Sequence, residues 1–233
     1  MIDRLVISAR RSTVYIALLG SSFLCAAMIA ARVWYTGTRG FAFLLWNLLL
    51  AWIPLVAAVA LYDRDRRGRG GVAGLLALGG IWLLFYPNAP YIVTDLIHLV
   101  EHPSALLWFD LVLIATCAWT GLLLGFVSLS LVQSVVRRRT SPIIGWSFVV
   151  GATGLAAFGI YLGRFLRWNS WDVLTDPHRL FYDIWDRIVN PLSHTQTIAV
   201  WLVLSGFLLA AYLAVAALTQ GSPLPQQSDS QVH

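Results

Sequence analysis

Long apolar runs broken by short polar intervals dominate the chain, and the lengths of the runs decide what they are. Six stretches, approximately 13–32, 41–61, 71–86, 106–132, 142–163 and 197–218, are nearly free of charged residues. A bilayer hydrocarbon core of about 30 Å takes about twenty apolar residues wound as a helix, so each run reads as a membrane span. The third is the shortest and is bounded by prolines, while the fourth is overlong, which predicts tilt or an extension past the bilayer. The pattern predicts an all-α polytopic membrane protein of about six transmembrane helices. It forms a single helical domain over 1–218, followed by a disordered cytoplasmic tail over 219–233, where the polar GSPLPQQSDSQVH has no core to join.

Two of the polar breaks carry elements of their own. In FYPNAPYIVTDLIH, residues 85–98, Tyr86 and Ala89 precede prolines and are biased away from helix, so the third span is expected to end there. Asn88 is a suitable N-cap and Pro90 is tolerated in a first helical turn, which predicts a short outer-face helix from Ala89 to His102. Along it Tyr91, Asp95, His98 and His102 share one face. Between spans five and six, DPHRLFYDIWDRIVNP places Leu180, Phe181, Ile184, Trp185, Ile188 and Val189 on one stripe, with Asp176 as N-cap and Asp183 and Arg187 spaced for an ion pair. That is an amphipathic helix lying in the membrane interface.

Composition supports the membrane class: 58% of 233 residues are hydrophobic and 12% charged, and the mean hydropathy is +0.73, beyond the range of a soluble domain. The net charge of +5 does not signal nucleic acid, because all sixteen basic residues are arginines and most lie in clusters between apolar runs. With the N-terminus inside, Arg4, Arg10, Arg11, Arg64, Arg66, Arg67, Arg69 and Arg137 to Arg139 are cytoplasmic, ten of the sixteen. Positive-inside bias then predicts a multi-pass protein of the cytoplasmic (inner) membrane with both termini cytoplasmic. Seven of the eleven acids and four of the five histidines fall on the other side. Cys25 and Cys117 lie inside apolar runs without metal-ligand spacing and read as small core residues. The first run is too long for a typical signal-peptide core and is kept as a span.

The candidate chemistry gathers on that outer side. Asp95 and His98 are the expected proton-handling pair, with Asn88 and Tyr91 orienting a ligand. In GIYLGRFLRWNSWD, residues 159–172, Gly159 and Gly163 form a small-xxx-small pair that lets another helix approach. Arg164, Trp168 and Asp172 follow at helical spacing, beside Arg167 and Asn169. Arginine presents a planar fork to carboxylate or phosphate, so Arg164 and Arg167 either hold an anionic ligand or pair with an acid and tie two loops together. Asp110, in WFD at the start of span four, needs a partner, and Arg164 or Arg167 is the expected one. HLVEH matches H-x-x-E-H, but Glu101 is the chain's only glutamate, so the further ligand of that pattern has no source. No metal and no cofactor are assigned.

Four blocks resemble a family of bacterial membrane proteins, the domain-of-unknown-function family 1361: NLLLAWIP at 47–54, WLLFYPNAPYIVTDLIHL at 82–99, WFDL at 108–111 and GIYLGRFLRWNSWD at 159–172. The likeness runs over roughly residues 40–215 and implies a multi-span inner-membrane protein with no assigned activity. It places Asn88, Tyr91, Thr94, Asp95, His98, Asp110, Arg164, Arg167, Trp168, Asn169 and Asp172 in family motifs. The functional expectation is a polar site on the extracytoplasmic face that recognises or processes an anionic lipid or envelope intermediate. Its partners would be membrane lipids and an anionic lipid or small molecule, not nucleic acid. A proton-coupled small-solute transporter and a membrane scaffold or assembly subunit fit the same residues.

Overall fold

The computed structural model describes residues 2–68, 71–101 and 106–220. The tail expected over 219–233 lies outside them beyond Gln220, as does His102, the end of the short helix. The regular elements among the described residues are all helical: α1 (Ile2–Thr36), α2 (Phe43–Arg66), α3 (Val72–Phe85), α4 (Asn88–Tyr91), a 3-10 segment (Ile92–Ile97), α5 (His98–Glu101), α6 (Leu107–Arg139), α7 (Pro142–Leu166), α8 (Asp172–Thr175), α9 (Pro177–Val189), a 3-10 turn (Pro191–His194) and α10 (Thr195–Gln220). Six helical stretches are long and apolar enough to cross a membrane, and the protein is an all-α membrane protein. Helix α6 is the axis of the bundle, with 61% of its apolar window buried inside the protein against 11% for the stretch containing α10.

The third crossing differs from its expected form. Helix α3 has 14 residues, which at 1.5 Å per residue reach about 21 Å, short of the hydrocarbon core. The crossing is completed by α4, the 3-10 segment and α5, so that the apolar stretch runs from Val72 to Val100. Pro87 and Pro90 interrupt the regular α-helix, yet Tyr91 N–H still donates to Pro87 O (3.0 Å), and the chain continues instead of turning out to the surface. Ala89, Pro90, Ile92 and Asp95 are buried. The short helix is therefore packed into the bundle, because Pro-broken backbone at membrane depth needs protein around it. Asn88 is its first residue rather than its cap; Pro87 holds the cap position with no side-chain bond.

Two small-residue pairs make that packing possible. A Cβ built on Gly121 of α6 would lie 2.4 Å from Ala89 O, and one on Gly125 would lie 3.2 Å from Ala89 Cβ. From the other side, a Cβ on Gly159 of α7 would lie 2.8 Å from Pro87 Cγ, and one on Gly163 would lie 3.2 Å from the Tyr91 ring. Gly121/Gly125 and Gly159/Gly163 thus grip residues 86–91 between α6 and α7, as small-xxx-small pairs do when backbones approach in a membrane. Around this grip lie two cores. One joins α1, α2, the 3-10 segment and α6 through Cys25, Leu44, Ile92, Leu113 and Cys117. The other joins α2, α3, α6, α7 and α10 through Ala58, Trp82, Phe126, Ile160 and Tyr212.

Asp110 is paired, but not with Arg164 or Arg167. It takes Arg32 of α1, whose Nε donates to Oδ1 (2.5 Å) and Nη2 to Oδ2 (3.1 Å). The Arg32 guanidinium also lies 4.2 Å from the centre of the Phe41 ring and reaches Thr38 Oγ1 (3.3 Å). Arg32 sits at the far end of α1 from the terminal arginines. In the fold it is buried and two-pronged.

Removing one partner of such a pair leaves an uncompensated buried charge, worth about 3–5 kcal/mol. Asp110→Ala is accordingly expected to lower the unfolding temperature in detergent more than the double variant Arg32→Met with Asp110→Ala does. Gly121→Ala, pressed against Ala89 O, is expected to destabilise strongly. Gly20→Ala and Gly206→Ala, with nothing within 4 Å of the added carbon, should not lower the melting temperature, since alanine favours a helix interior over glycine.

Candidate functional site

The 3-10 winding changes how the polar residues line up. Three residues per turn eclipse i and i+3, so Thr94 stands in register with Tyr91, and His98 with Asp95. Thr94 Oγ1 donates back to Tyr91 O (2.7 Å), which leaves its lone pairs outward for Arg164 Nε (3.0 Å). Arg164, in the last turn of α7, also donates through Nη2 to Asp95 Oδ1, and its Nη1 lies 3.3 Å from His98 Nε2. Its guanidinium stacks 4.7 Å from the centre of the Tyr91 ring. Asp95 is 1% exposed; its Oδ2 accepts from Asn47 Nδ2 of α2 (2.9 Å), and His98 Nε2 lies 3.8 Å from its Oδ1. His98 in turn meets the Phe43 ring edge-on at 5.0 Å.

This cluster joins α2, the 3-10 segment and α7 through one carboxylate and one guanidinium. A buried carboxylate is tolerated when paired and hydrogen-bonded, and Asp95 has an arginine, an amide and an imidazole around it. Every polar edge of Arg164 is engaged inside the protein. Its charge is met by Asp95, which is the internal pair weighed as the alternative to an anion grip.

Arg167 behaves differently. It ends α7 with φ 62°, a left-handed conformation, and is exposed. The helix stops there, with Trp168 N–H donating to Leu162 O (3.1 Å), as at C-termini closed by a left-handed residue. Arg164, Trp168 and Asp172 consequently do not share a helix face. Asp172 instead closes the following loop: it accepts from Asn169 N (2.7 Å), Asn169 Nδ2 (3.2 Å) and Thr175 Oγ1 (3.0 Å). The Asn169 N–H, first among these donors, holds the Asp172 carboxyl below the ordinary range.

The loop that Asp172 closes folds over the FYPN corner. Asn88 Nδ2 donates to Phe85 O (3.0 Å) and to Ser170 Oγ (2.9 Å), and Ser170 Oγ reaches Leu84 O (3.2 Å). Between loop and corner lies a groove of about 200 Å³, lined by Trp46, Asn47, Asn88, Tyr91, Gly163, Trp168, Asn169, Ser170 and Trp171 among others. Trp46 and Trp171 meet edge-on at 6.4 Å. Trp168 Nε1 donates to Asp183 Oδ2 of α9 (2.9 Å), and the Arg179 guanidinium stands 5.6 Å from the centre of the Trp168 ring.

A family model described as "Protein of unknown function (DUF1361)" matches residues 46–211. The chain belongs to that family. No curated protein and no solved structure matches it.

The DUF1361 match takes in the whole groove, from Trp46 to Leu180. Of the residues singled out in the sequence, Asn88, Tyr91, Trp168 and Asn169 line the groove. Asp95, His98 and Arg164 lie one side chain behind it, touching it through Asn47 and Tyr91. Asp172 braces the loop, and Asp110 belongs with Arg32 at a separate site. Asn47, Trp46 and Ser170 also line the groove and Arg179 stands over Trp168, although none of the four was a candidate from the sequence. Asn47, adjacent to Trp46 at the start of an apolar span, was the available signal. Among the described residues no three His, Cys, Asp or Glu side chains gather as metal ligands.

Helix α9 has the cap, the ion pair and the apolar stripe that its sequence leads one to expect. Asp176 caps it by accepting from Arg179 N (3.4 Å), Asp183 and Arg187 lie 3.8 Å apart, and Phe181, Trp185 and Ile188 are exposed. Asp186 accepts from Asn190 Nδ2 and lies 2.8 Å from His194 Nε2, contacts that depress its carboxyl in that order.

A carboxyl with a depressed folded value contributes fully above its unfolded value and is lost as pH falls through the lowered one. The amide resonance of Asn169 should therefore stay constant through mild acid and move only below the ordinary aspartate range, and Asp172→Asn should abolish the movement. Trp168→Phe removes the bond to Asp183 and is expected to speed hydrogen exchange in 177–189 without altering global unfolding. Arg167→Gly relieves a left-handed penalty of about 1–2 kcal/mol, offset by glycine's greater chain entropy, so thermal stability should not fall.

Proposed function

We propose that the protein holds the head of an amphipathic envelope intermediate in the groove between the FYPN corner and the 168–171 loop, on the extracytoplasmic face of the cytoplasmic membrane. The observation that carries the reading is the lining: three indoles, three side-chain amides and a tyrosine around one opening, with the charges behind them already paired. Indole faces cover the apolar faces of a ring or chain, and amides donate and accept at once. Such a groove suits the uncharged polar part of a ligand, as far as a sugar or an amide.

The anionic part of the ligand falls to Arg179 and Arg167. Arg179 stands over Trp168, a groove residue, and both arginines are exposed, where a phosphate or carboxylate reaches them without desolvating a buried charge. Asp95, His98 and Arg164 are positioning residues in this reading: Asp95 fixes the Asn47 amide and Arg164 fixes the Tyr91 ring. The orientation rests on the arginines of α2 and α6, Arg64, Arg66 and Arg137 to Arg139, which lie at the end of the bundle opposite the groove, the end that positive-inside bias assigns to the cytoplasm. Helix α9, with its exposed apolar stripe, would lie in the outer interface beside the opening.

Native mass spectrometry of protein released from membranes into polymer nanodiscs tests this. A bound amphiphile is expected on the unaltered protein and is expected to fall about tenfold or more in Trp171→Ala and Arg179→Gln. No bound amphiphile, or equal retention in both variants, would overturn the reading. Proton-coupled solute uptake into liposomes that disappears in Asp95→Asn would replace it with the transporter.

A further inference from the structure

A second cavity, at the opposite end of the bundle, has the makings of an anion site. It lies between the C-terminal half of α6, the start of α7 and the end of α10, has a volume of about 550 Å³, and is lined by Phe126, Gln133, Arg137, Pro142, Trp146 and Tyr212 among others. That is within the range of about 300–1,000 Å³ usual for small-molecule sites. Its walls change character along their length. Phe126, Val127, Tyr212, Val215 and Ala216 make an apolar stretch, and Ser130, Gln133, Ser134 and Arg137 make a polar one towards the end of α6.

Two donors there are uncommitted. Gln133 is 6% exposed; its Oε1 accepts from Tyr212 Oη (2.6 Å), which fixes the amide's orientation, and its buried Nε2 has no partner. An unpaired buried amide N–H costs about 1–3 kcal/mol, so the position is unfavourable for glutamine unless something accepts from it. Arg137 is the other. Within the run Arg137 to Arg139, Arg138 and Arg139 share Asp65, at 2.7 Å and 2.6 Å, and Arg138 also covers the Tyr62 ring at 4.5 Å. Arg137 has no acidic partner among the described residues. Its stem passes over Gly145, where an added Cβ would lie 2.1 Å from Arg137 Cγ, and the residue lines the cavity. Helix α7 begins at Pro142 on the same rim, with its positive end there.

The geometry points to a binding site for a phosphate-bearing amphiphile between α6, α7 and α10. The phosphate sits at Arg137 and the start of α7, an ester or hydroxyl oxygen accepts from Gln133 Nε2, and the chain lies along Phe126, Val127 and Val215. The serine hydroxyls do not compete for the role of donor, since Ser130 Oγ and Ser134 Oγ already donate to the backbone oxygens of Val127 and Ser130. The ligand chemistry is shared by a bilayer phospholipid and by a soluble phosphate ester, and the two sources are separable. This site does not depend on the groove at the other end.

Purified protein would be loaded with dioleoylphosphatidylglycerol or with dioleoylglycerol, which has the same chains and no phosphate, and weighed intact. Phosphatidylglycerol should be retained about tenfold better. That preference should vanish in Arg137→Gln, whose exposed position leaves folding intact, and in Gln133→Glu, which keeps the Tyr212 bond but removes the N–H. Arg67→Gln should keep it. Thermal stabilisation by glycerol 3-phosphate, abolished by Arg137→Gln, supports the same site with a soluble ester as its source; lipid retention without that stabilisation supports it with the bilayer as its source. Equal retention of the two lipids together with no effect of glycerol 3-phosphate overturns the proposal, as does a loss of preference in Arg67→Gln equal to that in Arg137→Gln.

Discussion

The ion pair between Asp95 and Arg164 is the constraint on which the groove end of the molecule depends. A carboxylate that is 1% exposed in an apolar bundle has to be neutralised and hydrogen-bonded, or the segment carrying it would move out to water. Arg164 supplies the charge, Asn47 a second bond and His98 a third neighbour. Because the three come from α2, the 3-10 segment and α7, satisfying one carboxylate fixes the relative placement of three elements. The groove is a consequence, since two of its lining groups, the Asn47 amide and the Tyr91 ring, are held by the same pair.

The glycine grip makes the pair reachable. With Gly121/Gly125 on one side and Gly159/Gly163 on the other, the Pro-broken corner can lie inside the bundle. From there the 3-10 segment runs with Asp95 towards α7. A wider helix at either place would push the corner outward and leave the carboxylate and the guanidinium apart. Packing precedes electrostatics in this order: van der Waals fit sets the separation, and the ion pair then selects one register.

What could be read from the chain follows from the range over which each signal acts. Run length and amphipathic spacing are local, and they located the six long apolar stretches and the amphipathic helix α9. The i, i+3 and i+4 spacing brought Tyr91, Asp95 and His98 together, although the winding is 3-10 and Thr94 joins them for that reason. Partnerships across the bundle were less legible. Arg32 carries no local sign of its pairing because its partner, Asp110, is 78 residues away, and Gly121 and Gly125 are silent inside an apolar run until Ala89 is known to lie on them. The left-handed closure of α7 was not legible because such a residue is usually glycine, and here it is Arg167.

If Asp95 and Arg164 act as one unit, a double-mutant cycle will show it. Asp95→Asn, Arg164→Gln and the double variant would be compared by equilibrium unfolding of purified protein in one detergent. Each single change strands the other charge, so the double variant should lose clearly less stability than the sum of the two single losses, with a coupling well above the roughly 0.3–0.5 kcal/mol seen for independent sites. Strictly additive losses would contradict it, because they would mean that the carboxylate and the guanidinium are satisfied separately.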